Sequence, residues 1–133
     1  MADYLLFATE RYALPILQPL ADALQEQGHA AHAWLVNGAR DSRLARGVLH
    51  VDGARAAVRL RPRAVFSAAN EVPPFVAGVK VQLFHGFDVQ KRDSARGHFR
   101  LRGLFDLYCT QGPATTGPFQ ALAGRAGHFH VVE

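Results

Sequence analysis

The stretch Val79-Lys80-Val81-Gln82-Leu83-Phe84-His85-Gly86 is the best guide to the fold of this sequence. Its first six residues are mostly apolar, as in a buried strand of a parallel sheet, and the run ends at an imidazole and a glycine. In open α/β sheets, ligands bind beyond the carboxyl ends of the strands. His85 is therefore predicted to lie at a ligand site and act as a base, with Gly86 allowing close backbone approach. The alternative is a strand-end histidine whose ring is satisfied by backbone hydrogen bonds.

Short apolar runs alternate with helical segments along the whole chain, which predicts an α/β fold with a mostly parallel sheet. We expect one three-layer, Rossmann-like domain over residues 1–133, with about six strands. The predicted strands cover residues 3–8, 30–36, 64–67, 79–84, 105–110 and 129–132. Residues 48–51 are either a further short strand or an extended link. The chain ends directly after the last predicted strand, which favours the N-terminal half of a two-domain protein.

Helices are predicted from apolar spacing and from proline and glycine. Leu14, Leu17, Leu20 and Leu24 recur at three- and four-residue intervals, which predicts one apolar helix face over residues 14–27, ended by Gly28. A second helix is expected over residues 53–60, and a short one over residues 41–46. A further helix is expected to follow Gln111-Gly112-Pro113 and to continue to about residue 123.

Composition limits the class of protein. The chain has 133 residues, of which 49% are hydrophobic and 20% charged, the balance of an ordinary globular domain. A single cysteine, Cys109, excludes an internal disulfide and fits a buried small side chain in a reducing compartment. The N-terminus has no basic segment typical of a signal peptide, and no stretch is apolar enough to span a membrane. We therefore expect a cytoplasmic protein.

Positive charge is concentrated in one predicted loop. Between Phe84 and Gly103 the sequence has five basic residues (Lys91, Arg92, Arg96, Arg100 and Arg102) and two acidic residues (Asp88 and Asp93). This excess accounts for most of the net charge of +4 and indicates an anionic partner. The alternative is an arginine-rich loop that is simply solvated.

The sequence disfavours dinucleotide, nucleotide and metal binding, which are common functions of such a sheet. The turn after the first strand, Ala8-Thr9-Glu10-Arg11-Tyr12, has no glycine, so it lacks the dinucleotide fingerprint, and no phosphate-binding P-loop motif occurs. His29, His32, His128 and His130 lack metal-site spacing with an acidic partner and fit surface or edge histidines. We expect no cofactor and no metal. Nucleic acid is also disfavoured, because the aromatic residues fall mostly within apolar strands.

Three other segments follow predicted strands and are candidate binding residues. They are Glu10-Arg11, Asn70-Glu71, and the turn from Gln111 and Gly112 to Thr115. The last leads into a helix, where its N–H groups could hold an anion or could simply cap the helix. All three segments are predicted to lie at the same edge of the sheet as His85.

The sequence resembles the CDP-glycerol glycerophosphotransferases, which include teichoic-acid primases and polymerases. The resemblance is carried by Val81 to Gly86, Lys91, Leu104 to Tyr108, Thr110 to Pro113 and Phe119. The family usually has a Q-x-W-H-G-T-x-x-K stretch there, and Phe84 and Phe87 stand where it has tryptophan and threonine. The segment from Leu20 to His29 is similar to the first helix of GT-B transferases.

The resemblance implies the acceptor-side half of a GT-B fold. Glycerol phosphate would pass from CDP-glycerol to a hydroxyl acceptor in cell-envelope polymer synthesis, with the donor bound by a second domain. His85 would be the base, and Lys91 and Arg92 would lie near phosphates of the donor or of a polyanionic acceptor. Peripheral association with a membrane surface is expected as well. Two alternatives remain open: a non-catalytic binding module for an anionic sugar or phosphate, and half of another glycosyltransferase or nucleotide-sugar epimerase.

Overall fold

The sheet is open and entirely parallel. The computed structural model describes residues 1–69, 71–83, 105–110, 117, 120 and 130–132, and in these residues seven strands form one sheet in the order β3-β2-β1-β4-β5-β6-β7. The strands are β1 (Asp3–Ala8), β2 (Ala30–Leu35), β3 (Leu49–His50), β4 (Ala64–Ser67), β5 (Val79–Leu83), β6 (Leu107–Cys109) and β7 (His130–Val132). This confirms the expected α/β sheet, and the seventh strand is β3, where a short strand or a link was expected.

Helices pack on both faces of the sheet. Helix α1 (Leu14–Glu26) buries Leu17 and Ala21 against the face that carries Leu6, Ala31 and Ala33. The alanines of β2 leave room for the helix to pack closely. With Leu17 fully buried, its truncation to alanine would cost about 2–5 kcal/mol.

The other face is covered by α2 (Ala54–Leu60), whose Ala57 packs with Leu5, Phe7 and Val65 of the sheet and with Val76. Residues 71–78, which join β4 to β5, lie on the same face through Val72 and Val76. The three layers and the strand order define a Rossmann-like fold, with the chain reversing its direction across the sheet between β1 and β4.

Helix α1 agrees with the sequence prediction to within one residue. Pro15 lies in its first turn, and the helix ends before Gly28, whose φ is +82°. The N–H of His29 donates to the Leu24 carbonyl at 2.9 Å, which closes the helix end.

The prediction of a short helix over residues 41–46 is wrong. The Ala45 N–H donates to Oε1 of Gln18 at 2.7 Å, and Nε2 of Gln18 donates to the Ala45 carbonyl at 3.1 Å. Arg46 pairs with Asp22 of α1 and has a positive φ of 61°. Side chains of α1 thus bind backbone N–H and carbonyl groups that would otherwise form hydrogen bonds within a helix. Residues 41–46 therefore form an extended loop.

Candidate functional site

The strands that precede the four predicted site segments are immediate neighbours. Glu10-Arg11 follows β1, Glu71 follows β4, His85 follows β5 and Gln111 follows β6, and the order β1-β4-β5-β6 is continuous in the sheet. Because all four strands are parallel, their carboxyl ends lie at one edge. That edge includes the point between β1 and β4 where the strand order reverses, the usual crevice of such folds.

Most of the predicted site residues lie outside the described residues, and their assignment stays a prediction. They are Asn70, His85, Gly86, Lys91, Arg92, Gln111, Gly112 and Thr115. The described part of the chain nevertheless shows the strand ends and side chains that surround this edge.

Glu10 is directed toward the end of β2. Its carboxylate packs so closely on Gly38 that a Cβ at position 38 would overlap Oε2. Burial, and secondarily the Glu10 charge, raise the pKa of Tyr12 above its ordinary value. Arg11 is exposed. Glu10 therefore lies on the side of β1 away from β4. Gly38, which has no side chain, leaves the space that its carboxylate occupies.

Glu71 is held by a buried turn after β4. Ser67 is fully buried; its Oγ donates to the Glu71 carbonyl at 2.7 Å and accepts the Ala69 N–H at 3.1 Å. The Glu71 side chain is exposed. The hydroxyl of Ser67 thus fixes the backbone that leads into the predicted Asn70-Glu71 segment.

A second polar side chain secures the same turn from the neighbouring strand. Nε2 of Gln82 donates to the Ala69 carbonyl at 2.8 Å, and Gln82 is 1% exposed. Strand register places Gln82 beside Ser67 on one side and beside the buried Tyr108 on the other. This polar row of Ser67, Gln82 and Tyr108 was missed by sequence reasoning, although a glutamine inside an apolar strand was a usable signal.

Replacing Ser67 with alanine should destabilise the protein by about 1–3 kcal/mol, because a buried N–H and a carbonyl lose their partner. Ser42→Ala is the matched control, since in the described structure its side chain makes no comparable buried bond. Urea unfolding followed by circular dichroism measures both variants. Equal midpoints for the two would contradict the role given to the Ser67 hydroxyl.

A cleft of about 370 Å³ opens at the carboxyl ends of β2 and β3. Arg40, Ser42, Arg43, His50 and Asp52 supply its polar lining. The Leu44 N–H donates to Nε2 of His50 at 3.1 Å, and Nη2 of Arg43 lies 3.2 Å from Nδ1. Sequence reasoning missed this cleft, because residues 41–46 were expected to be helical.

His50 should make the folded protein sensitive to mild acid. Burial, and then the charge of Arg43, lower its pKa below 6.5, while a bond to the Val48 backbone opposes this shift. The unfolded chain therefore binds the proton more readily. The stability that His50 contributes is complete above pH 6.5 and decreases as the pH falls from there toward the lower folded-state pKa.

Urea midpoints measured at pH 8 and at pH 5 test this expectation. His50→Gln, which cannot titrate, should lose less stability between the two pH values than the unaltered protein does. His130→Gln is the control, because His130 is exposed in β7. An identical acid loss in all three proteins would contradict a contribution from His50.

Structural partners hold three further basic side chains toward the opposite edge of the sheet. Nε2 of His32 lies 3.0 Å from Oδ1 of Asp3, and Nδ1 of His29 accepts the Ala2 N–H. Nζ of the buried Lys80 donates to the Gly78 carbonyl at 2.7 Å; burial lowers its pKa, and Asp106 partly opposes this. Among the described residues, no group of three or more histidine, cysteine or acidic side chains is arranged to hold a metal ion.

Cys109 fits a structural side chain. It is half-buried in β6, and burial raises the pKa of its thiol. A raised pKa reduces the thiolate fraction that a nucleophile needs.

Comparison of the chain with protein-family models, with curated proteins and with solved structures finds no match in any of the three. Within the part of the chain that the structure describes, no helix has the length and apolar character needed to cross a membrane. The fold and this edge define a doubly wound α/β domain with a predicted ligand crevice at its switch point.

Proposed function

We propose that this chain is the acceptor-side domain of a glycerophosphotransferase-like enzyme that moves glycerol phosphate from CDP-glycerol to a hydroxyl acceptor. The observation that supports the proposal is the adjacency of β1, β4, β5 and β6, whose carboxyl ends precede the four predicted site segments. Such an edge can gather a base, cations and polar side chains around one acceptor group.

The proposed chemistry is a direct phosphoryl transfer. His85 takes the proton of the acceptor hydroxyl as its oxygen attacks the phosphorus that carries glycerol. The bond from that phosphorus to the bridging oxygen breaks, and CMP leaves with this oxygen. Lys91 and Arg92 offset the phosphate charge, and the reaction requires no metal from this domain.

The described residues have a supporting role in this proposal. Ser67 and Gln82 hold the turn that leads to Glu71, so the loop after β4 has a fixed start beside β5. A fixed loop contributes to catalysis by orienting an acceptor before the proton moves.

The test is release of CMP from CDP-glycerol by the natural polypeptide that carries this chain, because the resemblance assigns the donor to a second domain. CMP release that depends on a glycerol-phosphate oligomer as acceptor is the expected result. Binding of the oligomer with no turnover would instead favour a non-catalytic binding module. No turnover with CDP-glycerol, together with turnover of a nucleotide sugar, would favour another GT-B enzyme.

A further inference from the structure

The cleft at the carboxyl ends of β2 and β3 is built from three parts of the chain. The end of β2 from Ala33 to Val36 forms one wall, the loop from Arg40 to Arg43 a second, and the segment from His50 to Gly53 the third. Its volume of about 370 Å³ is within the range of small-molecule sites. β2 lies three strands from β5, which is about 14 Å, so this cleft is separate from the predicted His85 site.

The lining carries excess positive charge. Arg40 and Arg43 are both exposed, and in the described residues neither guanidinium pairs with a carboxylate. Among the described lining residues, Asp52 is the only acidic one. A cleft with two such guanidinium groups attracts anions, and their planar donor arrays match phosphate oxygens.

The hydrogen bonds of His50 fix its ring beside Arg43. Nε2 accepts the Leu44 N–H, so the neutral ring carries its proton on Nδ1. Nη2 of Arg43, which is also a donor, lies 3.2 Å from that nitrogen. The ring N–H already has the Val48 backbone as its acceptor, so the donors open to an anion here are those of the Arg43 guanidinium, which lies against the His50 ring.

The cleft wall formed by the end of β2 is held by aromatic packing and by a backbone hydrogen bond. Trp34 contacts Phe7 edge-on at 5.4 Å between ring centroids and Phe75 at 6.2 Å. The Val51 N–H donates to the Ala33 carbonyl at 2.7 Å and ties the His50 segment to β2. The β2 wall and the His50 segment are thus held in place by contacts between strands, which limits the entropy lost on binding.

We propose that the β2–β3 cleft binds the phosphate group of a small organic phosphate, with Arg40 and Arg43 as its cationic ligands and the His50 ring as the wall beside Arg43. The cleft is larger than a phosphate ion, and the remaining space beside Trp34 and Ser42 takes the organic part. This site is independent of the transfer activity proposed for His85.

Inorganic phosphate and glycerol 3-phosphate are the probes, titrated at constant ionic strength into the ¹⁵N-labelled protein at pH 7.5. We expect saturable shifts of the Leu44 amide and the His50 ring signals, with glycerol 3-phosphate binding more tightly. Arg40→Gln and Arg43→Gln should each weaken binding on the order of tenfold. Arg59→Gln is the control, because Arg59 is exposed on α2 outside the cleft.

Arg43→Lys keeps the positive charge and provides a second test if Arg43→Gln fails to fold. It should bind phosphate more weakly than the unaltered protein, because an ammonium group cannot form the paired hydrogen bonds of a guanidinium. His85→Ala should bind phosphate normally, which separates this proposal from the transferase proposal. Shifts that do not saturate, or shifts reproduced by sodium chloride alone, would overturn it. So would an affinity in both Arg40→Gln and Arg43→Gln that equals the affinity of the unaltered protein. A response to polyanions without a response to either phosphate probe would overturn it as well.

Discussion

Replacing Gly78 with alanine should cost at least about 3 kcal/mol of the free energy of unfolding. Gly78 has a φ of +101°, and a Cβ there would lie 2.9 Å from the carbonyl carbon and oxygen of Arg63 and closer still to the Pro62 oxygen. These are backbone atoms held in the sheet: the Arg63 N–H donates to Asp3, and the Arg63 carbonyl accepts from Val79. They cannot move aside without breaking the start of β4 or β5.

Gly28→Ala is the matched control, because Gly28 has a similar φ of +82° but no atom within 4 Å of its Cβ position. It should cost only the backbone strain of about 1–2 kcal/mol. Urea unfolding of both variants at pH 7.5 gives the comparison. A loss at Gly78 no larger than the loss at Gly28 would show that the close approach of the two chain segments does not limit stability.

The central strands were predictable from the sequence because they are short runs of mostly buried apolar residues, whereas β3 and β7 are largely exposed. The boundaries of β1 and β4 agree with the prediction, and α1 differs from it by one residue at its end. These elements bury one or both faces, so the pattern of their apolar residues indicates the type of secondary structure. Gly78 gave no such signal, since the segment that it nearly touches is about fifteen residues away in sequence.

Long-range contacts explain what the sequence did not predict. Residues 41–46 have helix-forming side chains, yet Gln18 and Asp22 of α1 bind their backbone and Arg46, and the loop that results opens the β2–β3 cleft. Pairing between Gln82 and the turn after Ser67 likewise depends on strand order, which local patterns do not encode.

The candidate site was predicted at the level of the sheet edge. The carboxyl ends of parallel strands lie at one edge, so the four segments were expected there, and the strand order β1-β4-β5-β6 adds that their preceding strands are neighbours. The direction of an individual side chain needs coordinates. Glu10 follows β1 as expected, but its carboxylate packs on Gly38 after β2.

His85→Ala in the natural polypeptide should lower acceptor-dependent CMP release on the order of 10²- to 10⁴-fold, because the acceptor hydroxyl would have to lose its proton to water. The loss should appear in kcat, with little change in KM for CDP-glycerol, since a base acts in the transition state and not in donor binding. His85→Gln, which keeps a polar side chain without a basic nitrogen, should be equally impaired.

His130→Ala is the control for the loss of a histidine, because His130 begins β7 at the opposite edge of the sheet and is exposed. Circular dichroism and urea midpoints of His85→Ala should match those of the unaltered protein, so that the loss of activity is separated from a loss of stability. The pH profile separates a base from a merely structural residue: activity of the unaltered protein should fall below a pKa near that of histidine, and the residual activity of His85→Ala should lack this step. Turnover within twofold of normal, or an unchanged acid limb in the variant, would remove His85 from the reaction and leave the edge as a binding surface.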